Sequence, residues 1–127
     1  MSKICYTTLM VNDMAQALEF YADKLGFEVI KRDHFPHFVL LKNDPFPIAL
    51  HQVEKVATAQ YPDQTGIVLG IATDDLAATI QRLSAQGVEF IHTAPQKFFM
   101  GWYAALRDPA GNVHELIQVD PNSPYAR

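Results

Sequence analysis

The chain repeats itself. Residues 26–30 read Gly-Phe-Glu-Val-Ile, and residues 87–91 read Gly-Val-Glu-Phe-Ile. Each stretch follows a helix-like segment, and each of those segments follows a β-like run ending in an acidic cap. Farther on, Phe38-Val39-Leu40-Leu41-Lys42-Asn43-Asp44-Pro45 has a counterpart in Tyr103-Ala104-Ala105-Leu106-Arg107-Asp108-Pro109. Runs ending His51-Gln52-Val53 and Ile117-Gln118-Val119 close the two copies. A period of roughly 60 residues marks two copies of one supersecondary unit. Such a unit does not close a barrel alone, so two curved half-sheets are expected to meet and leave a concave surface for a ligand.

Hydrophobic periodicity supplies the elements. Ile4 to Val11 alternates as a strand, with Cys5, Thr7, Leu9 and Val11 on one side and Ile4, Tyr6, Thr8 and Met10 on the other. Asn12 or Asp13 caps a helix whose apolar stripe is Met14, Ala17, Leu18, Tyr21 and Leu25. Gly26 ends that helix. Phe27–Lys31, Phe38–Leu41 and Ile48–Val53 read as three further strands. In the second copy, Gly66–Thr73 is the first strand, its bulky Ile67, Leu69 and Ile71 facing a helix and its small Gly66, Gly70 and Ala72 facing open space. Asp74 or Asp75 caps the helix carrying Leu76, Ile80 and Leu83, and Gly87 ends it. Val88–His92, Trp102–Leu106 and Val113–Val119 follow. The order is β-α-β-β-β twice: an α+β fold, with two βαβββ repeats forming a curved mixed sheet around a cup-shaped cavity and the helices outside. Leu18 and Leu83 are expected in the core. Repeat one covers about 3–53, a linker without pattern about 54–65, repeat two about 66–119 and a tail 120–127, in a single domain.

Composition narrows the function classes. The 127 residues carry a formal net charge of −4, which disfavours a nucleic-acid partner because phosphate binding needs a basic face. No apolar run approaches the roughly 20 residues of a membrane span, and the first residues lack a signal-peptide pattern. One cysteine, Cys5, makes neither a disulfide nor a cysteine metal cluster within the chain, and alternation turns it toward the helix as an inert buried thiol. A cytoplasmic protein is expected.

Three segments, Val11-Asn12-Asp13-Met14, Phe20-Tyr21 through Leu25-Gly26-Phe27, and Asp108-Pro109-Ala110-Gly111-Asn112 through Glu115-Leu116, make the chain resemble the vicinal oxygen chelate superfamily. That superfamily includes glyoxalase I, bleomycin-resistance proteins, fosfomycin-resistance transferases and extradiol dioxygenases. The resemblance spans about residues 3–119. It specifies the superfamily rather than an activity, because one fold hosts many chemistries. It implies a homodimer with ligand cavities near the subunit boundary. In metal-dependent members the ligands come from the first and last strands of each repeat. Those positions fall here on Tyr6, Gly66, Ala49 and Glu115, of which only Glu115 is an ordinary divalent-metal ligand. No cofactor is therefore expected. The alternative is a weakly bound divalent metal held by His51 and Glu115.

The candidate site follows from parity. Glu115 shares a face with Val113 and Ile117 and reads either as a general base with a raised pKa or as a hydrogen-bonding group within the cup. His51 lies two residues beyond Ala49 and shares its face. His114 points the other way, toward the helix layer, while His34, His37 and His92 fall near strand ends or loops and read as solvated. The aromatic set Phe35, Phe38, Phe98, Phe99, Trp102 and Tyr103 is too apolar for simple loops; in bleomycin-resistance relatives such residues line a groove for a flat ligand. Strand parity leaves open which of Trp102 and Tyr103 points inward. Ligand-binding candidates are thus Tyr6, Thr8, Phe38, His51, Phe99, Trp102, Tyr103 and Glu115, with Glu115 the catalytic candidate. Two functions compete. One is a glyoxalase- or bleomycin-resistance-like protein that binds a small organic molecule without a catalytic metal. The other is a lyase, isomerase or dioxygenase using Glu115 as base or a metal.

Overall fold

The computed structural model describes residues 1–126. It divides into two compact units, the first made of Met1–Thr58 with Pro109–Gly111 and the second of the remainder.

In the first unit, β1 (Thr7–Val11) runs parallel to β4 (Ile48–Gln52), while β3 (Phe38–Leu41) and β2 (Val29–His34) continue antiparallel in the order β1-β4-β3-β2. The register puts Leu9, Leu50 and Val39 in one cross-strand row and Ile48 with Leu41 in the next. Val11, Val39, Leu41, Ile48 and Leu50 are buried. Each such side chain contributes about 1.5–3 kcal/mol when removed from water, so this face holds the core. Between β1 and β2 lies helix α1 (Met14–Leu18), which widens into a π-helical stretch, Glu19–Lys24. Its Asp13 cap accepts the Gln16 N–H at 3.1 Å.

The second unit repeats the plan. Strand β5 (Leu69–Ala72) runs parallel to β9 (Val113–Val119), and β8 (Gly101–Arg107) and β6 (Glu89–Phe90) complete the order β5-β9-β8-β6. A further strand, β7 (Gln96–Phe98), forms a tight hairpin with β8. Helix α2 (Leu76–Ala85) is capped by Asp75, which accepts the Ala78 N–H at 3.1 Å, and it buries Leu76, Ile80 and Leu83. Gly101 is required where β8 begins: its φ is +145°, and a Cβ there would stand 2.2 Å from the Gln118 carbonyl oxygen.

One device joins helix to sheet in both units. The Gln52 side-chain oxygen accepts the N–H of Met14, the first residue of α1, at 2.8 Å. The Gln118 oxygen accepts the N–H of Leu76, the first residue of α2, also at 2.8 Å. A free helix N–H needs a partner, and here the last strand of each repeat provides it.

The two α+β repeats agree with the sequence reading, and several local expectations need correction. Two adjacent rings, Phe20 and Tyr21, are both buried, with centroids 4.8 Å apart. The extra residue in the π turn, marked by the Leu25 N–H bonding to the Phe20 carbonyl at 2.9 Å, brings both inward, and Leu18 is left only half-buried. Cys5 is exposed rather than packed on the helix, because β1 begins only at Thr7. Strand β5 starts at Leu69, so Ile67 lies outside it and is 88% exposed. Strand β2 extends later than expected, to His34, and β6 is shorter than Val88–His92.

Two outcomes follow from this packing. Leu83→Ala should cost roughly 2–5 kcal/mol, whereas Leu18→Ala should cost under about 1.5 kcal/mol. Urea unfolding of both variants checks this; equal losses would mean that the π turn does not displace Leu18 from the core. The second outcome concerns His114, which is 2% exposed. Burial pulls its pKa down from 6.5 to about 4, with the nearby Asp108 opposing. A lowered folded-state pKa means that the unfolded chain binds the extra proton first. Stability is therefore intact above about pH 6.5 and falls toward pH 4, by at most roughly 3 kcal/mol from this group. His114→Leu should lose stability less steeply between pH 7 and 4.5 in urea melts. An unchanged slope would remove His114 from the account.

Candidate functional site

Each sheet has one face packed by its helix and one face free of it. The helix-free faces gather the chemistry.

On the first sheet the pairing register sets Met10, His51 and Phe38 in one row and Thr8, Ala49 and Leu40 in the next. The rings of Phe38 and His51 lie 6.5 Å apart at 62°. A cavity of about 190 Å³ opens beside them, lined by Lys31, Asp33, His34, Phe38 and Leu40. Lys31 and Asp33 form an exposed ion pair at 3.5 Å. Tyr6 immediately precedes β1 and is 56% exposed.

On the second sheet Glu115 is flanked by Gly70 on β5 and Ala105 on β8. The next row holds Ala72, Ile117, Tyr103 and Gln96, followed by Val119, Gly101 and Phe98. Glu115 is half-buried, and its Oε2 accepts the Tyr61 hydroxyl at 2.5 Å. Burial pushes the Tyr61 phenol well above its ordinary value; the hydrogen bond to Glu115, the Glu115 charge and Tyr103 push the same way. Each cause favours the neutral phenol, so Tyr61 stands as the donor and Glu115 as the acceptor.

Tyr61 also opens a series of rings. Its centroid lies 5.6 Å from that of His92, and His92 lies 5.2 Å from Tyr103. Tyr103 meets Phe98, Phe98 meets Phe99, and Phe99 meets Tyr125, each at 5.2 Å. All of these contacts are edge-to-face, a favourable arrangement for ring quadrupoles. His92 Nδ1 accepts the Ala105 N–H at 3.0 Å, which places the ring proton of the neutral imidazole on Nε2.

Tyr61 belongs to a short strap that ties back to this sheet. The Ala59 carbonyl accepts from Arg107 Nη1 at 3.1 Å, and Arg107 Nε also pairs with Glu89 at 3.1 Å. Within the strap, Gln60 and Gln64 exchange backbone hydrogen bonds of 3.2 and 2.7 Å. The strap is thus a closed turn tied to the sheet by the Tyr61–Glu115 bond, the Tyr61–His92 ring contact and the Arg107–Ala59 bond.

The structure resolves the open choice of aromatic. Tyr103 lies on the Glu115 face. Trp102 pairs with Gln118 on the opposite face, and Lys97 Nζ stands 4.4 Å over its ring, so Trp102 leaves the group of helix-free residues. Phe99 sits at the hairpin turn and is 69% exposed. Phe35 is exposed in the loop after β2. His114 faces the helix side as its alternation requires. His92, expected to be solvated, is half-buried and hydrogen-bonded; the strand stops at Phe90 and the chain folds its imidazole back onto Ala105. Matching Asp13 with Asp75 pairs Tyr6 with Val68 and Thr8 with Gly70, so Gly66 is not the counterpart of Tyr6. Tyr61 and Tyr125 were missed because a single aromatic in a patternless segment carries no period.

The donors near Glu115 do not fit a tightly held metal. Its cross-strand neighbours Gly70 and Ala105 have no donor atoms, and one carboxylate oxygen is engaged by a phenol. Within each unit, among the described residues, no three His, Cys, Asp or Glu side chains are grouped to hold an ion. His51 is flanked by Met10 and Phe38.

Comparison with known proteins adds three kinds of likeness. Residues 3–116 match the family model described as Glyoxalase/Bleomycin resistance protein/Dioxygenase superfamily. The YurT protein of Bacillus subtilis (strain 168) is 29% identical over 133 residues, covering 91% of this chain and 98% of that protein. Among solved structures, TnmS3, an antibiotic binding protein from Streptomyces sp. CB03234, is 25% identical with a TM-score of 0.69, covering 94% of this chain and 98% of that one. A lactoylglutathione lyase from Agrobacterium tumefaciens is 27% identical with a TM-score of 0.66, covering 91% and 92%.

Proposed function

We propose that this chain, which belongs to the Glyoxalase/Bleomycin resistance protein/Dioxygenase superfamily, is a binding protein for a small aromatic organic molecule and works without a catalytic metal. The observation that carries this reading is the run of edge-to-face rings from Tyr61 to Phe99 beside the single carboxylate of Glu115. Rings give apolar area with little conformational entropy to lose, and one polar group gives orientation. Phe38 and His51 offer a smaller version of the same chemistry on the first sheet. The likeness to an antibiotic binding protein agrees with it.

The second reading is a lyase or isomerase in which Glu115 takes a proton from substrate. The paired Tyr61 phenol and Glu115 carboxylate favour it, since an adjacent donor and acceptor are what a proton transfer needs. Metal analysis separates the two. After dialysis against chelator, the binding protein should retain well under one metal ion per chain. It should still bind 2-methoxynaphthalene in a fluorescence titration, with Tyr103→Ala weakening that binding by roughly tenfold. Close to one zinc, nickel, manganese or iron per chain, lost in Glu115→Ala, would overturn the metal-free reading and favour the enzyme.

The cytoplasmic location and the homodimer are part of the same proposal. No helix among the described residues is long and apolar enough to cross a membrane. The edge strands β1 and β5 adjoin exposed apolar residues, including Ile4, Met10 and Ile67, which a second chain would cover. Light scattering should give twice the 14.3 kDa chain mass at micromolar concentration, and a species of 14.3 kDa alone would contradict the dimer.

A further inference from the structure

We propose that the Glu115 site takes a phenol, a hydroxyl carried on an aromatic ring, and that the protein's own Tyr61 occupies this site as a displaceable stand-in. The inference rests on the binding reading above and specifies the ligand for it. Tyr61 shows the chemistry that the position accepts. Its ring sits edge-on to His92, and its hydroxyl donates to Glu115 at 2.5 Å. A ligand that keeps both contacts must present a ring with a donor at its rim. An aromatic ether or hydrocarbon fills the ring position and leaves a half-buried carboxylate without its donor, which costs binding.

The strap is built to leave. Its backbone bonds between Gln60 and Gln64 are internal, and Thr65 Oγ1 caps the Pro62 carbonyl at 3.3 Å, so the turn keeps its shape without the sheet. Its ties to the sheet include side-chain contacts, Tyr61 to Glu115 and to the His92 ring and Arg107 to the Ala59 carbonyl. Release of Tyr61 frees the Glu115 oxygen and the side of the His92 ring that it meets. On one side of Glu115 stands Gly70, which is exposed and carries no side chain, and on the other the buried Ala105.

When a protein's own group holds a site closed, apparent affinity falls by the fraction of molecules that are open. Tyr61→Phe keeps the ring and removes the donor, so it loosens the strap. The test compares 2-naphthol with 2-methoxynaphthalene, which has the same ring but no hydroxyl donor, on wild type and Tyr61→Phe. The variant should bind 2-naphthol roughly tenfold more tightly, and 2-naphthol should exceed the ether in both proteins. A second readout does not depend on the variant's stability. In wild type, saturation with 2-naphthol should move the Tyr61 ring resonances toward those of an exposed tyrosine, and the ether should do so far less. If the ether binds as tightly as the naphthol, or if Tyr61→Phe binds no better and the Tyr61 resonances do not move, the phenol inference is overturned while aromatic binding stands. If neither probe binds either protein at millimolar concentration, the aromatic-binding reading itself fails.

Discussion

Two glutamine side chains hold the frame on which the rest depends. Gln52 and Gln118 each reach from the last strand of a repeat to the first N–H of its helix, at 2.8 Å in both cases. A single hydrogen bond of this kind contributes only about 1 kcal/mol. Its larger effect is on register. A strand shifted by one residue turns every side chain to the opposite face. With Gln118 held toward α2, alternation sends Leu116 and His114 to the helix side and Ile117 and Glu115 to the other. The same logic in the first unit turns Leu50 inward and leaves His51 and Ala49 on the helix-free face.

On that common frame the two repeats carry different side chains. The row that pairs Phe38 with His51 corresponds to the row that pairs Tyr103 with Ile117, so an aromatic stands at the same place on the middle strand of each sheet. The neighbouring row pairs Leu40 with Ala49 in one repeat and Ala105 with Glu115 in the other. The acid is therefore confined to the second sheet, where Tyr61 meets it and where the ring series begins. The first sheet sets Phe38 and His51 beside the Lys31–Asp33 pair, and the second sets its rings beside the Glu115 carboxylate.

Much of this was legible because it is periodic. The helix core of Leu76, Ile80 and Leu83 and the outward parity of Glu115 follow from spacings of two or three to four residues, and the caps are narrowed to Asn12 or Asp13 and to Asp74 or Asp75, of which Asp13 and Asp75 serve. What escaped was not periodic. The Tyr61–Glu115 bond spans 54 positions and starts in a segment with no pattern. The choice between Trp102 and Tyr103 depends on the register of β8 against β9, which sets Tyr103 opposite Ile117 and Trp102 opposite Gln118; alternation within β8 alone does not set that phase. Leu18 was misplaced because a π turn adds a residue that an α-helical stripe does not count.

The proposed ligand lies on the helix-free face of the second sheet. Intermolecular nuclear Overhauser effects from bound 2-methoxynaphthalene test it most directly, because strand residues of opposite parity report opposite faces. Contacts to the Tyr103 and Phe98 rings and to the Ile117 methyl groups are expected. Contacts confined to Leu116, Leu106 and Ile80, on the helix side, would contradict that placement.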